Sequence, residues 1–360
     1  MNTIMMMDFS FRLICELSQY MSLTIKRAFF GIGGFQLTVE RGMPGWEQLE
    51  ANRLFYLPER PGLMLLAEKV NINRKTVTVS GVQLKGICKR RICVPPVKTE
   101  DESGYKAFGW DRFTGDAESA FFHFVENNVT APGDGKRKMP GFVLAENLHR
   151  GEVLPWQARF DRLQDVLEDI GTATGLGWDI LPDFSRKQFV FTAVEGKDLT
   201  QGSRRATLSR EMGNVEDGTV TIDLSRKKGT IYAGGSGEDE KRMILSVGNA
   251  AEGIHRFEGW TDISGAEDAE LLKMGAERKL EGEKRTLQVL VTDSGLCKYG
   301  RDYDLGDILR VKMDGYEMDA RLIEMEESME NGLRTLKATF GDAPVTLTGI
   351  LKTREKGSAK

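Results

Sequence analysis

A chain of 360 residues, 40% of them hydrophobic, is long enough for two or three domains with cores that need no disulfide staples. Its 50 basic and 54 acidic side chains leave a formal charge of -4, which gives no global reason to expect nucleic-acid binding. No apolar run approaches the ~20 residues that cross a bilayer, and Met1 to Asp8 lacks the basic start and apolar stretch of a secretion signal, so a soluble chain made in a reducing compartment is expected.

The first elements alternate at period two. Leu23 and Ile25 alternate with Thr24 and Lys26, and Phe35, Leu37 and Val39 alternate with Gln36, Thr38 and Glu40, which is strand spacing. Between them lies the bend Gly31 to Gly34. It lacks the Lys-Ser/Thr of a phosphate loop and runs into strand periodicity, so a hairpin or bulge is the reading. Leu63 to Val70 and Thr76 to Ser80 are two further strands, turned at Asn71 to Arg74. Leu84, Ile87 and Cys88 then fall at helical spacing before the basic Lys89-Arg90-Arg91, and Pro95 and Pro96 break the pattern at a first boundary near residue 97. Cys88 and Cys93 are separated by a four-residue gap with no histidine nearby, which is poor zinc spacing. They and the scattered Cys15 and Cys297 are expected as packed thiols.

A polar passage, Lys98 to Gly115, leads to a helix capped by Asp116 with Ala117, Phe121, Phe124, Val125 and Val129 as its apolar stripe. His123 lies on it. Residues 131–139 form a loop containing the second basic cluster, Lys136-Arg137-Lys138; each cluster is read as solvated surface, with DNA or an acidic partner as the other possibility. A second helix repeats Phe160, Leu163, Val166, Leu167 and Ile170 and is stopped by Gly171, Gly175 and Gly177. Trp178 to Leu181 and Gln188 to Val194 are strands joined at Pro182-Asp183.

Strands resume at Gly218 to Asp223, Gly229 to Gly235 and Met243 to Val247. The acidic loop Gly234 to Glu240 has a single aspartate, Asp239, and no EF-hand spacing, so it is a hairpin loop rather than a calcium site. Ser264 to Glu267 reads as a capping box opening a helix with Ala269, Leu272, Ala276 and Leu280 on one side, ending near Gly282. Leu287, Val289 and Val291 feed a meander whose strands carry Leu309, Val311 and Met313, then Met318, Ala320 and Leu322, then Leu336, Ala338 and Phe340. Asp314-Gly315 and Asn331-Gly332 supply its turns.

Three sets of residues carry a family resemblance: Tyr-Gly-Arg-Asp-Tyr-Asp-Leu-Gly-Asp (Tyr299 to Asp307) ahead of Asp319-Ala320-Arg321, the passage Val79 to Ile92 ending in Arg90 and Arg91, and Glu195 to Leu199 after the hairpin. Together they resemble the Gp-thirty-seven-like siphophage tail proteins, similar to the amino-terminal part of tail-associated lysins. The resemblance implies an α+β, mostly antiparallel fold with β-barrel-like domains at both ends (1–97 and 203–350), an inserted helix-plus-hairpin domain (98–202) and a polar tail (351–360). It also implies a non-enzymatic tail-tip or baseplate hub in the virion. Such a hub is a homotrimer that meets the distal tail protein, the tape-measure protein and fibre or receptor-binding proteins, with passing DNA as a transient contact.

No catalytic, cofactor-binding or metal-binding residue is nominated. His123, His149 and His255 sit outside any recognisable nucleophile motif, and Glu324 and Glu326 look like the wet face of a strand. Asp111 with Asp116, or Glu324 with Glu326 and Glu327, are the carboxylate pairs a tail-associated peptidoglycan hydrolase or peptidase would use, and that enzyme is the alternative. A carbohydrate-binding adaptor is a third class. No carboxy-terminal hydrolase follows the meander before Lys360.

Overall fold

The computed structural model describes residues 3–96, 109–263, 266, 268–292, 297–330 and 332–341. Strands β1 (Ile4–Met7) and β2 (Leu13–Leu17) form a hairpin that methionine-rich and irregular alternation hid from the sequence. β3 (Ser22–Ala28) and β4 (Gly34–Glu40) follow as expected, then β5 (Leu54–Tyr56), β6 (Met64–Ile72) and β7 (Thr76–Gln83). The turn between β6 and β7 starts at Asn73, whose side-chain oxygen accepts from the amides of Lys75 and Thr76. A 3-10 helix, Leu84–Arg90, occupies the predicted short helical passage.

The end of the polar passage is a strand, β8 (Asp111–Gly115); Lys98 itself lies outside the described residues. Helix α1 (Ala117–Val125) is capped by Asp116, which accepts from the Ser119 amide, and Val129 sits in a π turn beyond it. After β9 (Phe142–Leu144) and β10 (Leu154–Ala158) comes α2 (Leu163–Thr174). It starts later than predicted because Phe160 is at φ 60, and Gly171 stays inside it, so the stop is Gly175 at φ 76. β11 (Gly177–Asp183) runs through Pro182, contrary to the expected turn there; β11 is an edge strand, where a missing N–H costs no ladder bond. The reversal falls at 184–187, with the Asp183 carboxylate accepting from the Ser185 and Arg186 amides, before β12 (Gln188–Val194), β13 (Thr207–Ser209) and β14 (Val215–Asp223).

Contacts divide the chain into one unit of Met1–Gly218 with Gln288–Lys360 and a second of Thr219–Leu287. In the second, β15 (Thr230–Gly234) lies between antiparallel β16 (Ile244–Gly248) and parallel β17 (Glu258–Asp262). Helix α3 (Ala269–Glu277) buries Leu272 and Ala276 with Ile231 and Ala233. Ser264 and Glu267 lie outside the described residues. The cap observed is Asp268, accepting from the Leu271 amide, and the helix ends before Leu280 and Gly282.

The chain closes with β18 (Lys284–Val291), β19 (Ile308–Met313), β20 (Tyr316–Glu330) and β21 (Leu333–Gly341). Asp314 at φ 48 and Gly315 at φ 85 make the predicted tight turn; Asn331 is not described.

The strand path β14-β18-β21-β20-β3-β4-β7-β6-β5-β1-β2 is open, with β13 and β19 branching from β20. The barrels expected at the two ends are therefore not closed among the described residues. Both ends instead share one sheet, because β3 pairs antiparallel with β20 from Ser22↔Glu330 to Ala28↔Glu324. Nor is the boundary expected near 97 a seam. Leu54, Met64 and Leu84 share a buried cluster with Phe121, Phe124, Leu167, Trp178 and Phe189, each such side chain contributing roughly 1.5–3 kcal/mol by leaving water.

On the β20 side of this pairing, Glu327 is 2% exposed and bound by Arg60 and Arg334, the latter at 2.7 Å. Glu327→Ala removes the carboxylate that Arg60 and Arg334 share, and both arginines still reach water, so a loss of about 2 kcal/mol in urea unfolding is expected.

Candidate functional site

The most buried polar chemistry gathers where the chain bends after β3. Gln83, at the end of β7, accepts from the amides of Ala28 and Gly33 at 3.0 Å each. Lys85 is fully buried and donates to the carbonyls of Ala28 (2.7 Å), Phe29 (3.2 Å) and Trp178 (3.1 Å), with its ammonium 4.8 Å from the Trp178 ring centroid. Trp178 donates to the Phe30 carbonyl, and Arg321 donates to the Gly306 carbonyl while lying over the Phe29 ring. Burial, opposed in part by Asp179, lowers the Lys85 ammonium to about 8. A lysine tuned this way is a candidate base or nucleophile, yet its donors are spent on three backbone carbonyls. It ties β3, the 3-10 helix and β11 together. Sequence reasoning passed over Gln83 and Lys85; the available signal was two polar residues set within the apolar run Val82, Leu84, Ile87.

The histidines sit in separate places. His123 Nε2 meets Asp111 Oδ1 at 2.7 Å, with Asn127 on the other Asp111 oxygen at 3.2 Å and Phe113 stacked on the imidazole. His149 comes together with Ser119 and Asp116, the three residue types of a hydrolytic triad. Its Nδ1 faces both Ser119 Oγ and Asp116 Oδ2, each at 3.2 Å. A triad base uses opposite ring nitrogens for nucleophile and carboxylate, and here Ser119 Oγ itself donates to Asp116 at 2.8 Å. The cluster is a helix cap: against the pull of burial, the Ser119 amide and hydroxyl and His149 hold the Asp116 carboxyl below its usual range. His255 is exposed on a 3-10 turn of the second unit.

Four of the five carboxylates that the hydrolase alternative would use have side-chain partners. Asp111 is bound to His123 and Asp116 to the cap. Glu324 pairs with Lys26 at 2.9 Å, and Glu326 lines the same shallow surface with Lys337, as its wet-face reading requires. Glu327 points to the other face, under Arg60 and Arg334. Beside it lies a groove of about 380 Å³ whose walls include Tyr20, Met21, Met329 and Leu333.

Cys88 and Cys93 are buried, which pushes both thiols up to about 12. Among the described residues no cluster of His, Cys, Asp and Glu could hold a metal ion. The loop after β15 is a hairpin connection closed by Gly235 and Met243. The two basic clusters, separate in sequence, meet: Arg91 donates from Nε (3.1 Å) and NH2 (2.7 Å) to the Arg137 carbonyl, and Arg137 donates to the Ile92 carbonyl at 2.7 Å.

Three solved structures share this fold. The prophage MuSo2 43 kDa tail protein from Shewanella oneidensis is 11% identical with a TM-score of 0.58, over 95% of this chain and 99% of that one. The tail protein from Neisseria meningitidis MC58 is 14% identical, TM-score 0.58, over 96% and 99%. Prophage tail protein gp18 from Listeria monocytogenes EGD-e is 10% identical, TM-score 0.52, over 99% of each chain. No curated protein matches the chain. The mostly antiparallel fold is thus that of phage tail proteins. A family profile described as Siphovirus ReqiPepy6 Gp37-like protein matches residues 3–342, nearly the whole length, and the chain belongs to that family.

Proposed function

We propose that this chain is a structural protein of a phage or prophage tail, a hub that closes the distal end of the tail tube as a homotrimer in the virion. The observation that carries this reading is the seven-pair zipper between β3 and β20, which makes both ends of the chain one β platform, in a fold shared end to end with three tail proteins. β2 terminates the strand path, and Leu13 on it is 47% exposed. Exposed strand rims recruit partners unless neighbours cover them, and a closed ring of copies is the symmetric way to do so. The hub's neighbours are the distal tail protein, the tape-measure protein and fibre or receptor-binding proteins. It acts by assembly and not by catalysis, in keeping with Asp111, Asp116, Glu324 and Glu327 being held by histidine, amide or cations.

Native mass spectrometry is expected to return three times the 40.2 kDa chain mass, with negative-stain images showing a threefold ring. A chain that stays monomeric at tens of micromolar overturns the hub.

A further inference from the structure

The fold brings together two basic clusters that lie about 45 residues apart in sequence, and among the described residues no carboxylate forms an ion pair with Arg90, Arg91, Lys136, Arg137 or Lys138. Arg91 and Arg137 are held in place by backbone carbonyls rather than carboxylates: Arg91 by those of Arg90 and Arg137, and Arg137 by that of Ile92 together with the Asn128 side-chain oxygen. Arg90 reaches Asn52, again a neutral acceptor. Lys136 and Lys138 are exposed on the turn that carries Arg137. Among the described residues none of these five cations makes an ion pair, whereas neighbouring Lys89 is paired with Glu68. Of the described carboxylates, Asp134, on the turn that carries Arg137, accepts from the Lys136 amide, and Asp161 accepts from the Arg159 amide.

Like charges gathered on one surface repel, and a ligand of dense negative charge relieves that repulsion. Two guanidiniums pinned through some of their N–H groups keep the others free in fixed directions, which suits phosphate oxygens. Lysine is depleted at protein–protein interfaces, yet two of the five cations are lysines, so the surface favours a polyphosphate over an acidic protein.

We infer that Arg90, Arg91, Lys136, Arg137 and Lys138 form a docking surface for the phosphate backbone of duplex DNA, read without regard to base sequence. The inference stands on charge geometry and not on the tail reading, so a monomeric protein could still satisfy it and a trimer could still fail it.

The test is fluorescence anisotropy of the full chain with a labelled random-sequence duplex of about 30 base pairs. Neutralising about three phosphates gives a salt slope near -2.7, so affinity is expected to fall about 40-fold between roughly 50 and 200 mM sodium chloride. The double reversal Lys136→Glu, Lys138→Glu is expected to weaken binding at least about tenfold. Reversal of the exposed pair Arg74→Glu, Lys75→Glu, which changes net charge equally on the β6–β7 turn, is expected to leave it within about twofold. If the first reversal perturbs folding by circular dichroism, Lys136→Gln, Lys138→Gln carries the test with an intermediate loss. No saturable binding at about 50 mM salt, equal losses in both reversals, or poly-glutamate displacing the protein as well as DNA does at matched charge would each overturn the assignment.

Discussion

Lys85→Met is expected to cost about 3 kcal/mol at neutral pH, read as a lower urea midpoint. Methionine fills nearly the same volume, so the loss is not a cavity effect. It comes from the carbonyls of Ala28, Phe29 and Trp178, all of which keep their burial and lose their donor; relief from burying a charge offsets part of it. The pH dependence isolates the charge. Burial holds the folded-state ammonium at about 8 against an ordinary 10.5. Below pH 8 the proton is bound in folded and unfolded chains alike, and the burial cost is present in full. Between pH 8 and 10.5 the unfolded chain binds more protons, so the wild type gains stability with rising pH, by roughly 3 kcal/mol across the window. Lys85→Met lacks that gain, and the gap between the two proteins widens. Parallel pH profiles would mean that Lys85 is not buried as a cation.

Gly33→Ala is expected to be as damaging, at about 3 kcal/mol or more, for a different reason. A Cβ built on Gly33 lies 1.9 Å from the Lys26 carbonyl oxygen and 2.5 Å from Gln83 Oε1. The first contact is backbone of β3 and cannot swing away. The second is the acceptor of the Ala28 and Gly33 amides, so the clash also breaks the junction's hydrogen bonds. Gly31→Ala, two residues earlier in the same bend, meets only the Glu168 carboxylate at 3.0 Å, a flexible side chain, and is expected to cost under about 1 kcal/mol. Equal effects at the two glycines would remove the steric account of this bend.

These positions also show how far the sequence could be read. The glycine bend was identifiable as a non-phosphate turn from its flanks, because alternation on both sides is a local property. That Gly33 in particular must be glycine depends on how close the end of β3 approaches it, which no local pattern encodes. Lys85 was missed for a related reason. A lysine in an apolar passage looks like a surface break until three carbonyls from two distant segments converge on it.

Period-two alternation, the Asp314-Gly315 turn and the Asp116 cap followed from residues within a few positions of one another, and the family resemblance from short ordered motifs; all are local and survive without knowledge of the fold. Contacts between remote segments settled the rest. β3 joins β20 across about 300 residues, merging two expected barrels into one open sheet, since strand partners are chosen by long-range burial and pairing rather than by propensity. The same long-range folding set Arg91 against Arg137 and turned Ser119, His149 and Asp116 into a helix cap instead of a triad, because direction and distance between side chains exist only once the chain has packed.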